Sequence, residues 1–121
     1  SADSNDVAML AALIECEACG ESYTGMVAVG AVVVNRVNSG SFPNSISGVI
    51  YQSGQFTPVA TGTFQSVLAR GARSDCYAAA QAALAGESPV GACISTAATA
   101  AEFRSDISIF IKNRRGTFAR G

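Results

Sequence analysis

The stretch GMVAVGAVVVNRV, residues 25–37, constrains the fold of this chain more than any other. Its β-branched AVVV is compatible with a strand, but its length and its Asn35-Arg36 end favour a helix over residues 24–38. Wound as a helix it is apolar on nearly every side, so other elements must enclose it. Its longest apolar run, MVAVGAVVV, has nine residues. Crossing a bilayer takes roughly 20, so the enclosure has to be protein.

The rest of the chain supplies the partners. Residues 4–18 read as a helix with Ser4 as N-cap and Asp6 in the first turn. Val7, Leu10, Leu13 and Ile14 form its apolar stripe, and Gly20 stops it. Residues 45–51 suit a short helix, residues 63–70 a second, and residues 74–85 an alanine-rich third with Ser74 as N-cap. SGSFPN and QSGQFTPVATG read as loops, rich in Gly, Ser, Thr and Pro. GACIS, ISIFI and GTFAR, further on, are candidate strands. The expected fold is α+β, mainly helical: one domain over residues 1–121, with residues 1–5 a linker-like lead-in and a small antiparallel sheet at the C-terminal end.

Charge narrows the function classes. Charged residues make up 14% of the chain against 49% hydrophobic, a composition suited to a packed core. A net charge of −1 makes no whole-molecule case for nucleic acid or for anionic membranes. Arg104, Lys112, Arg114, Arg115 and Arg120 do gather in the last eighteen positions. The ordinary reading is a solvated terminal face; the functional one is a surface for an anionic polymer. Cys16 and Cys19 form a C-x-x-C near a helix end, where a redox pair would open one. The chain has no histidine, so a metal site lacks its usual ligands. Cys16, Cys19, Cys76 and Cys93 are expected to be buried or incidental thiols, and no cofactor or metal is expected.

Three glutamates crowd IECEACGES, residues 14–22. Glu17 follows Leu10 by seven, Leu13 by four and Ile14 by three, which centres it on the apolar stripe. Glu15 falls on the far side and is expected to be solvated. Glu21 follows Gly20 into the turn. A carboxyl on a core-facing stripe has its charged form disfavoured and its pKa raised. Such a group can stay protonated near neutral pH and donate to a leaving oxygen. The alternative is that Glu17 caps backbone amides or pairs with an arginine such as Arg36.

Ordered motifs weight this choice. Glu17 to Glu21 is similar to an E-A-R-G-E motif, Gly25 to Val29 to a Gly-x-x-A-V segment, and Asn35 to Val37 to N-R-V. Phe42-Pro43 and Val49 to Val59 continue the pattern, the latter to V-I-Y-Q-x-G-Q-F-x-P-V, and CYAAAQAALAGESPVGA is similar to a later helix. Together, over residues 8–92, they resemble the SleB/CwlJ-type cell wall hydrolases, the spore cortex-lytic family. The resemblance implies a lysozyme-like fold related to lytic transglycosylases, with Glu17 as catalytic acid. It implies peptidoglycan glycan strands as substrate, and action outside the cytoplasm, in cell wall or spore cortex, with any export signal already removed. It also implies that residues 51–59 line the glycan cleft. Gln55 and Thr57 would hydrogen-bond sugar, Phe56 would offer an apolar face, and Tyr51 and Glu21 would lie along the same cleft; ordinary loop chemistry is the alternative for each. Two departures stand out. Cys19 replaces the arginine of E-A-R-G-E, and residues 93–121 lack the I-G-N-H-x-F-Y ending, with Asn113 or Phe118 as possible remnants. Ile94 and Ser95 stand where the family has an aromatic wall. The same cleft in a catalytically silent wall-binding or partner-binding relative is the competing reading.

Overall fold

A computed structural model describes residues 3–18 and 20–88, which form six helices. The first, α1 (Ser4–Ala18), is built from good helix formers. Its cap is Asp3, not Ser4: Asp3 Oδ1 accepts from the amides of Asn5 at 2.7 Å and Asp6 at 3.1 Å. Gly20, at φ 85°, turns the chain after the helix, a conformation that side chains with a Cβ resist.

The apolar stretch forms α2 (Tyr23–Ser39). Ser22 caps it by accepting from the Gly25 amide at 3.1 Å, and Gly40 ends it at φ 80°. Every residue from Gly25 to Val33 is buried, as a helix apolar on all sides requires. Helix α3 (Ile46–Ile50) is capped by Ser45, whose Oγ accepts from the Gly48 amide at 3.0 Å. Within the segment expected to be a loop, residues 57–61 instead form a one-turn helix, α4 (Thr57–Thr61), with Pro58 in its first turn. Proline's fixed φ and missing N–H suit that position. Helix α5 (Thr63–Arg70) buries Phe64 and Val67. Helix α6 (Ser74–Leu84) takes Arg73 as its extended N-cap residue, one position before the expected Ser74, with no side-chain cap bond.

Helices α1, α2 and α6 pack on one another, with α3 against α1 and α2, and α4 and α5 against α1. Helices α2 and α6 approach tightly at Gly30, where an added Cβ would lie 2.8 Å from the Ala83 Cβ. Helix α1 is enclosed as thoroughly as α2: Leu10 to Ile14 are all completely buried. No described helix is long and apolar enough to cross a membrane. The expected sheet and the basic terminal cluster lie outside the described residues.

Candidate active site

The two carboxylates near the end of α1 have different surroundings. Glu15, expected to be solvated, is buried. Because α5 and α6 cover that side of α1, its carboxyl meets the connection between them. Arg70 Nη2 donates to Glu15 Oε2, and the Arg73 amide donates to Glu15 Oε1 at 2.9 Å. The Arg70 hydrogen bond holds the Glu15 carboxyl below its ordinary value; burial opposes this, and the Arg73 amide and both positive charges reinforce it. Two residues on, Glu17 is half-buried with its Oε2 enclosed by protein. It is less enclosed than Leu10, Leu13 and Ile14, which are completely buried.

After the Gly20 turn, Glu21 is half-buried and Tyr23 is 47% exposed, its hydroxyl 3.4 Å from the Ala78 carbonyl oxygen. Helix α1 touches both α3 and α4, the elements that open and close the 51–56 loop. That places the loop alongside the helix carrying Glu17.

Residues expected to meet sugar sort into two groups. Tyr51 and Thr57 are exposed. The Tyr51 ring stands edge-on to Phe64, with centroids 5.6 Å apart and planes at 86°, so its position is fixed while much of its surface faces water. Gln55 and Phe56 are buried, at 6% and 3% exposure. They turn inward to Arg36, which has no exposure at all. Arg36 Nη1 donates to Gln55 Oε1 at 2.8 Å, and the guanidinium carbon lies 4.8 Å from the Phe42 ring centroid and 5.7 Å from that of Phe56. An enclosed guanidinium is costly unless hydrogen-bonded and shielded; a directed amide oxygen and two aromatic faces do both. The open amide and open ring expected of Gln55 and Phe56 are therefore engaged beneath the surface. The sequence held a clue to this cluster: an arginine on a helix otherwise apolar all round, with Phe42 and Phe56 in the flanking loops. The thiol of Cys76 is buried with Sγ 3.9 Å from Met26 Sδ. Cys19 and Cys93 lie outside the described residues.

The chain matches the Cell Wall Hydrolase family over residues 20–117, a match that begins three residues after Glu17. It is 52% identical over 58 residues, 48% of its length, to the spore cortex-lytic enzyme of Bacillus cereus, and likewise to that of Bacillus subtilis. Those stretches cover 22% and 19% of the two relatives, so the chain spans only a small part of the length of the curated relatives it matches. Among solved structures it is similar to the catalytic domain of the germination-specific lytic transglycosylase SleB from Bacillus anthracis. The TM-score is 0.67 at 39% identity, covering 76% of this chain and 72% of that one. The catalytic domain of Bacillus cereus SleB gives a TM-score of 0.68 at 38% identity, over 76% and 69%.

Proposed function

The chain belongs to the Cell Wall Hydrolase family, and from that premise we propose that it cleaves peptidoglycan glycan strands as a lytic transglycosylase, with Glu17 as catalytic acid and base. One observation carries the choice of residue. Glu15 is locked to a guanidinium and an amide, which removes it from proton transfer. Glu17 holds one carboxyl oxygen inside the protein on a half-buried side chain, and its helix touches α3 and α4, the elements that flank residues 51–56.

The bond cleaved is the one between N-acetylmuramic acid and N-acetylglucosamine. Glu17 enters protonated and gives its proton to the glycosidic oxygen as that bond breaks. As carboxylate it then takes the proton of the muramic C6 hydroxyl, whose oxygen closes on the anomeric carbon to form a 1,6-anhydro ring. The proton returns to Glu17, no water is consumed, and a second carboxylate is not needed, unlike in ordinary glycosidases. Tyr51 and Thr57 face the strand, with Glu21 near the turn at its edge. Gln55 and Phe56 support that surface from beneath. Such strands lie outside the cytoplasm, which is where the protein acts.

The test is mass spectrometry of products from purified glycan strands. Anhydro ends and hydrolysed reducing ends differ in mass by one water. Release of anhydro ends by the wild type, and its loss in a folded Glu17→Gln variant, is the expected result. Full activity in that variant removes Glu17 from the mechanism. A wild type that sediments with walls and releases nothing is a binding domain instead.

A further inference from the structure

The 51–56 loop is tied by local turns: the Gln52 amide donates to the Val49 carbonyl at 3.3 Å and the Gln55 amide to the Gln52 carbonyl at 3.2 Å. Gly54 reverses it at φ 79°. Such turns fix shape but do not fix where the loop sits relative to the helices. The Arg36–Gln55 hydrogen bond, at 2.8 Å across 19 positions of sequence, is a link of that second kind. It runs from a fully enclosed guanidinium on α2, itself fixed against Phe42 and Phe56. We propose that Arg36 is the positioning residue of the substrate loop: by holding Gln55 and seating Phe56, it sets where Tyr51 and Thr57 meet the glycan strand.

This rests on the lytic reading for its substrate, but not for the hold itself. An arginine suits the task for a physical reason. Its planar fork can donate to an amide oxygen while its face lies against an aromatic ring, whereas a lysine ammonium is a strongly hydrated point charge that does neither well. A residue that positions a loop of this kind acts on substrate binding more than on proton transfer. Its removal therefore raises KM with little change in kcat.

Two variants test this, Gln55→Leu and Arg36→Lys, with two readouts. Hydrogen exchange compares amides 52–57 with the α6 amides of Ala79 to Ala83, which report the folded core. Kinetics on glycan strands separate KM from kcat. The expected result for Gln55→Leu is exchange about tenfold faster in the loop with α6 unchanged, and KM up about tenfold with kcat within about threefold. Arg36→Lys moves both readouts in the same direction. Unchanged loop exchange, acceleration shared equally by α6, a loosened loop with unmoved KM, or an Arg36→Lys variant indistinguishable from wild type each overturns the proposal. If the wild type releases no anhydro product, the lytic reading fails, and the exchange data still decide whether Arg36 holds the loop.

Discussion

Replacing Gly30 by alanine sets two well-defined effects against each other. In a helix interior, alanine is favoured over glycine by about 1 kcal/mol. At Gly30 the new Cβ would sit 2.8 Å from the Ala83 Cβ and 3.3 Å from Ile14 Cδ1. Ile14 offers the end of a side chain and yields at little cost. The Ala83 Cβ is fixed to the α6 backbone and cannot. Carbon contacts are optimal at about 3.5–4.0 Å, so α2 and α6 must part by roughly an ångström. That separation loosens packing among fully buried residues, including Val29, Val33, Ala79 and Ala80. Overpacking of this kind costs about 1–3 kcal/mol, and a backbone-fixed neighbour puts the cost toward the upper end. The clash therefore wins, with a net loss of about 1–2 kcal/mol and a Tm drop of roughly 4–8 °C for a chain this size. Thermal melts followed by helical circular dichroism measure it. Ala83→Gly in the same chain removes the opposing Cβ and recovers about 1 kcal/mol relative to the sum of the single changes. A Gly30→Ala variant as stable as wild type, or additive behaviour of the pair, would refute the close approach of α2 and α6.

Glu15→Gln tests the buried pair. Arg70 holds the folded carboxyl below its ordinary value of 4.5, so its stabilisation is complete above that value and fades as pH falls through the lower folded one. The variant is expected to lose about 1–2 kcal/mol at neutral pH, the half-exposed guanidinium being partly screened, and to converge on wild type in urea melts as pH falls through the lowered folded value. Equal midpoints at neutral pH contradict the pairing. Burial first, and Asp75 second, push the Cys76 thiol up to about 12. Peptide mapping after brief alkylation of the native protein at mildly alkaline pH is thus expected to find Cys76 unmodified, and modified once the chain is unfolded. Labelling at equal rates in both states would contradict its burial.

What sequence alone determined was what local chemistry determines. The apolar run of α2 had to be buried, because no partial covering satisfies it, and its length favoured a helix over the strand its AVVV also allows. Spacing placed Glu17 on the same stripe as Leu10, Leu13 and Ile14, and ordered motifs pointed to the family. Helix ends were legible to within a residue: Asp3 against Ser4, and Arg73 against Ser74, are neighbours whose backbone geometry decides which one caps. The tertiary structure decided what depends on distant partners. The face of α1 bearing Glu15 looked solvated because its spacing departs from the apolar stripe; Arg70 and the Arg73 amide, 55 and 58 positions away, turn that face into an interior one. Gln55 and Phe56 looked like open loop residues until Arg36 drew them inward. Periodicity records which face of a helix is apolar. Which faces are covered, and which charges are paired, is fixed only when the other elements pack.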